Sequence, residues 1–127
     1  MSIERFGSGA PWESLVGYSR VVAAGPFVEV AGTAAVRDGV VVGVGDAYEQ
    51  TRVILELIGE ALARAGADLT QVVRTRIWTT DCTRWEEIAR AHLEVFADHR
   101  PVTLMAEVSR FIDPDMLVEI EATAYTG

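Results

Sequence analysis

The stretch PVTLMAEVSRFIDPDMLVEIEATAY, residues 101–125, constrains the fold most. It reads as two strands joined by a loop at residues 111–115. Val102, Leu104, Ala106 and Val108 alternate with Thr103, Met105, Glu107 and Ser109; Val118, Ile120, Ala122 and Ala124 alternate with Leu117, Glu119, Glu121, Thr123 and Tyr125. Successive strand side chains point to opposite faces, so each strand offers one small apolar face suited to lie under helices. The other face carries Glu107, Glu119 and Glu121 among apolar neighbours. A carboxylate there needs water, a partner or a ligand, which makes this face the first candidate for function.

The rest of the chain supplies the covering helices. Residues 2–6 read as a short strand and residues 7–13 as a turn-rich loop holding Pro11 and Trp12. Residues 18–24 and 27–31 read as strands broken at Gly25-Pro26, and Asp38-Gly39 before Val40 is a strong hairpin signal. Residues 46–65 form the clearest helix. Ile54, Leu57, Ile58, Ala61, Leu62 and Ala65 recur at helical spacing, Asp46 and Glu49 suit a capping box, and Arg64 with Gly66 suits the end. Residues 72–80 read as a strand and residues 83–99 as a second helix. Thr83 with Glu86 matches a capping box there, and Trp85, Ile88, Ala89, Leu93 and Phe96 form the stripe; Pro101 forbids continuation. The expected class is α+β, a mixed sheet with two helices on one face. The face left open carries Leu117, Met105, Tyr125 and Trp78, and an apolar sheet face of that size marks an association surface. A homo-oligomer is expected on these grounds.

At 127 residues the chain is expected to be one domain, residues 1–127. Its net charge of −8 disfavours phosphate backbones and anionic membranes. Cys82 is the only cysteine, which excludes an intrachain disulfide and points to a cytoplasmic protein. The N-terminal residues lack the pattern of a signal peptide, and no apolar run is long enough to span a membrane.

Glycine-rich phosphate loops, paired-cysteine sites and HExxH are absent, and His92 and His99 lack a third ligand at useful spacing. No metal and no cofactor is expected. His92 reads as a residue at the edge of the helix stripe and His99 as one at the helix end. Cys82 reads as a plain small residue. Arg74 and Arg76 are either solvated charge at a sheet margin or counter-ions for Glu119 or Glu121 across an interface. Tyr18 is either an amphipathic wall residue or a hydrogen-bond donor to a ligand.

Several segments resemble one family. GYSRVV at residues 17–22 resembles a G-P-Y-S-x-A-V segment, and FVEVAGTAA resembles a V-x-V-S-G-Q strand. Residues 46–81 resemble a Q-T-x-x-x-L helix, an A-G-A turn and a V-V-K-x-T strand. Pro101 begins a P-A-R-[ST] segment, and LVEIEATA at residues 117–124 matches an L-V-E-I-E-A-x-A ending. Over nearly its full length the chain thus resembles the RidA/YjgF family. The resemblance implies a chorismate-mutase-like fold, a homotrimer, and hydrolysis of reactive enamines and imines in clefts between subunits. It implies that Glu119 handles the hydrolytic water and that Tyr18 shapes the pocket. The family's carboxylate-gripping arginine falls at Thr103, its serine at Ala31 and its asparagine at Ala89. Trp85 stands where phenylalanine is frequent, Gly32 is kept, and Met105 is counted with Thr103 as a pocket residue. Arg74, Arg76 and Arg100 are candidate substitutes for the missing arginine.

Three functions follow as expectations. The first is an enamine or imine hydrolase with Glu119 as catalytic residue, acting on a neutral or aromatic substrate rather than 2-aminoacrylate. The second is a trimer that binds a small metabolite without turnover. The third, endoribonuclease activity, is opposed by the acidic charge and by the lack of a basic, aromatic-interleaved groove.

Overall fold

The structure, a computed structural model, describes residues 2–127. Its elements run β1 (Ile3–Phe6), β2 (Val21–Ala24), β3 (Phe27–Ala34), β4 (Val36–Arg37), β5 (Val40–Val41), α1 (Ala47–Arg64), β6 (Val72–Thr79), α2 (Trp85–Phe96), β7 (Val102–Glu107) and β8 (Val118–Tyr125). Six strands form one sheet in the order β1-β2-β3-β8-β6-β7, and β4 with β5 forms a separate hairpin. Every pairing in the sheet is antiparallel except β6 with β7, which is parallel. The expected α+β class, with two helices on one face of a mixed sheet, is what the chain adopts.

The core lies between the helices and that face. Ile54, Ile58 and Leu62 of α1 and Ile88 of α2 are buried with Val28, Val30, Ile77, Val118 and Ile120. Burying an aliphatic side chain of this size contributes roughly 1.5–3 kcal/mol, so the small alternating face of β8 is what lets α1 sit close. Gln50, also fully buried, binds backbone only: its amide nitrogen donates to Asp115 O (2.8 Å) and Gly43 O (3.3 Å), and its carbonyl accepts from Leu117 N (2.8 Å). It ties α1 to the loop that delivers β8. At the β4–β5 hairpin Asp38 and Gly39 both take positive φ, 53° and 76°, as the tight turn requires.

Four local expectations are corrected. The strand expected from residue 18 begins at Val21, because residues Glu13–Gly17 close a wide helical turn in which Tyr18 N donates to Glu13 O (3.1 Å). The second helix begins at Trp85, after a tight turn capped by Asp81 rather than Thr83: the Asp81 carboxylate accepts from both Thr83 N and Thr83 Oγ1. Its buried stripe is Ile88, Ala91 and Phe96, while Trp85 and Leu93 are each 53 % exposed. Strand β7 presents the opposite faces from those expected. Its parallel register sets Thr103, Met105 and Glu107 beside Thr75, Ile77 and Thr79, which face the helices. Val102 and Leu104 stand with Arg74, Arg76 and Trp78 on the open face, 56 % and 48 % exposed. Met105 and Glu107 therefore leave the open face: Met105 packs on the core, and Glu107 accepts from Cys82 N (2.8 Å).

The open face remains rich in apolar groups, with Ile3, Phe27, Tyr125, Val102 and Leu104 exposed on it. Among them Arg76 pairs with Glu121 (3.1 Å) inside the chain.

Candidate functional site

A defect in the sheet builds the site. Between β3 and β8 the register passes from Val30↔Ala122 to Thr33↔Ile120, so three steps on β3 match two on β8. The extra residue bends the strand at Ala31 and Gly32, as bulges do. Gly32 permits a close approach there: a Cβ at this position would lie 2.9 Å from Glu119 Oε1 and push the carboxylate aside. The bulge thus brings a bare stretch of backbone against the carboxylate, which projects from β8.

Glu119, Gly32 and Tyr18 line one cavity of about 790 Å³, walled also by the loop at residues 8–12, by α1 and by the loop before β8. The Glu119 carboxylate is half-buried and accepts no hydrogen bond among the described residues. Burial raises its pKa above the ordinary glutamate value; the charge of Arg20 pulls it down and that of Glu121 pushes it up. A half-buried carboxylate with a raised pKa and no partner among the described residues is suited to take a proton from water.

Arg20 lines the same cavity. Its Nη1 donates to Gly32 O (3.1 Å) and Thr33 Oγ1 (2.9 Å), which locks the guanidinium onto the bulge. Its Nε lies 4.0 Å from Glu13 Oε2, and the group stands 5.8 Å from the centre of the Tyr18 ring. Glu13 is itself occupied by Ser8, which donates to it from its backbone nitrogen (2.9 Å) and its hydroxyl. Burial works to raise the Glu13 pKa, but the Ser8 bonds and the Arg20 charge outweigh it and hold Glu13 low, as a carboxylate.

The site residues read from the sequence fall into two groups. Tyr18, Gly32 and Glu119 come together at the cavity, with half-buried Ala31 next to Gly32 in the bulge. Trp85, Ala89, Thr103 and Met105 do not line it; they belong to α2 and the edge strand β7. Thr103 accepts a hydrogen bond from Thr75 (2.7 Å), and Thr75 in turn meets His92 Nε2 (2.9 Å). Among the candidate substitutes for an arginine at Thr103, Arg76 is held by Glu121, and Arg100 donates to Ala97 O (3.0 Å) at the end of α2. Sequence reasoning passed over Arg20. Its signal was position, since it stands two residues from Tyr18 and immediately before β2.

The profile of the Endoribonuclease L-PSP family matches residues 9–126. The chain belongs to the RidA/YjgF family. A crystal structure of a YjgF-family protein from Mycobacterium tuberculosis superposes with a TM-score of 0.89 at 49 % identity, covering 98 % of this chain and 99 % of that one. A protein of Streptomyces coelicolor is 42 % identical over 126 residues, 99 % of this chain and 94 % of its own. A 3-aminoacrylate deaminase, RutC, from Acinetobacter baylyi is 36 % identical over 85 residues, 67 % of each chain. Membership in the RidA/YjgF family accounts for the fold and for the mixed sheet under two helices.

Proposed function

We infer that this protein hydrolyses a small enamine or imine, with Glu119 as the catalytic residue. The observation that carries the reading is the Glu119 carboxylate itself: half-buried, without a hydrogen bond from the described residues, and set in a cavity wall opened by Gly32. Glu119 accepts a proton from water as the water oxygen bonds to the C=N carbon, and returns it to the nitrogen. The hydroxyl proton of the resulting carbinolamine then passes to the nitrogen as the C–N bond breaks, releasing ammonia and leaving a carbonyl. An enamine enters the same route as its imine tautomer, after carbon gains a proton from water and nitrogen gives one back. Deamination of 3-aminoacrylate, which the name of the Acinetobacter baylyi relative states, is chemistry of this kind. Tyr18 and the backbone of Gly32 position the substrate beside the carboxylate.

A role on nucleic acid is less well supported. Glu13, Asp38, Glu60 and Glu119 stand in or beside the cavity wall, and the net charge is −8; both oppose a phosphate backbone. The site residues on α2 and β7 are best placed to complete the cavity from another copy of the chain, in keeping with an expected trimer. The test is direct. Anionic imines are generated with an amino-acid oxidase and neutral ones with an amine oxidase, and carbonyl formation is followed with and without the protein. Acceleration that disappears in Glu119→Gln supports the reading; no acceleration with any of a panel of anionic, neutral and aromatic imines removes it.

A further inference from the structure

We propose that Arg20 is the residue that binds the substrate's anionic group, so that this cavity takes a small carboxylate rather than a neutral molecule. The inference rests on the hydrolase reading of the same cavity and names its substrate class. Three observations point to it. The guanidinium is largely shielded, its side chain being 17 % exposed, and it lines the cavity that holds Glu119. Its Nη1 is fully used in holding it to Gly32 and Thr33. Its Nε and Nη2 make no hydrogen bond to the protein among the described residues, and no fully buried polar side-chain atom there is left without a partner, so that edge keeps some access to solvent on a residue that lines the cavity. The nearest carboxylate, Glu13, stops at 4.0 Å from Nε because Ser8 holds it back.

An Nε–Nη2 edge presents two parallel N–H donors at the spacing of two carboxylate oxygens. A rigid, desolvated fork with an open edge is a receptor for that geometry. Glu119, on the same wall, then faces the carbon next to the carboxylate, where an imine nitrogen leaves. The cation thus comes from the segment before β2, not from β7, and Thr103 need not supply it.

The test measures binding, not turnover, so that it stands whether or not Glu119 performs hydrolysis. Pyruvate, a keto acid, is titrated calorimetrically against pyruvamide, which differs by having no charge. The unmodified protein is expected to prefer pyruvate by about tenfold or more, the worth of one charge-assisted hydrogen-bond pair. Arg20→Gln removes the preference, Arg20→Lys keeps part of it, and Arg64→Gln, which changes the other arginine of the cavity wall, leaves it intact. Equal binding of the two probes by the unmodified protein overturns the proposal without any variant. So does a preference that survives in Arg20→Gln or disappears in Arg64→Gln. If the preference holds while hydrolysis is absent, the hydrolase reading fails alone.

Discussion

Opposing forces meet on the Glu119 side chain. Burial favours its neutral form, Arg20 favours its charged form, and no hydrogen bond from the described residues decides between them. Its folded pKa lies above its unfolded one, so the folded state binds the extra proton. Stability contributed by that proton is complete below the ordinary glutamate range and is lost as pH rises through the raised folded value. Glu119→Gln is therefore expected to flatten the pH dependence of urea stability across that window, and a slope that matches the unmodified protein would show that Glu119 is not perturbed. The same substitution should lower imine turnover by about 10²-fold or more, the usual worth of a general base, with the fold intact by circular dichroism. Glu119 and Tyr18 were legible in the sequence because a carboxylate on an apolar strand and a tyrosine at a strand end each stand out from their neighbours. Arg20 was not. An arginine between Tyr18 and Val21 reads as one more surface charge until the bulge at Gly32 folds back to receive it.

Elements hold these residues in place, and two of them can be tested separately. At the β3 bulge, Gly32→Ala would push a methyl group to within 2.9 Å of the Glu119 carboxylate. The obstructing atom is the end of a flexible side chain, so the carboxylate gives way and the backbone does not. Turnover is expected to drop while the melting temperature changes little; a large loss of stability would mean that the bulge cannot hold a side chain at all. At the junction of α1 with the loop before β8, Gln50→Leu leaves the carbonyls of Gly43 and Asp115 and the N–H of Leu117 without their side-chain partner. Gly43 O still accepts from Asp46 N (2.9 Å), so two backbone groups, Asp115 O and Leu117 N, are orphaned; at about 1–3 kcal/mol each, urea denaturation should show a loss of roughly 2 kcal/mol or more, and a loss below ~1 kcal/mol would mean that water replaces the amide. The two helices, the Asp38-Gly39 hairpin and β8 were legible because each shows a clear period or turn signal. The facing of β7 was not, since Val102 and Leu104 on one side and Met105 on the other are all apolar. An edge strand with apolar residues on both faces has no alternation to read.

The whole molecule explains why β7 carries apolar residues outward. Ile3, Phe27, Tyr125, Val102 and Leu104 leave a broad apolar area on the sheet face that no helix covers, with the Arg76–Glu121 pair closed among them. A surface of that kind is stable in water when another surface lies on it. The separation of the site residues points the same way. Tyr18, Gly32 and Glu119 stand at the cavity, whereas Trp85 and Ala89 lie on α2 and Thr103 and Met105 on the far edge strand, so a site using both sets draws them from two copies of the chain. A closed ring of like subunits satisfies both demands, because each copy gives one set to one neighbour and receives the other from the next. Light scattering is expected to return the mass of three chains at micromolar concentration, and a mass of one chain would end this account. Leu104→Lys places a charge on the open face, 48 % exposed in the isolated chain, and should lower that mass to a single chain without altering the helical signal. If cavity and edge act together across subunits, hydrolysis falls with assembly; a monomeric Leu104→Lys protein with full turnover would show that one chain holds the entire site.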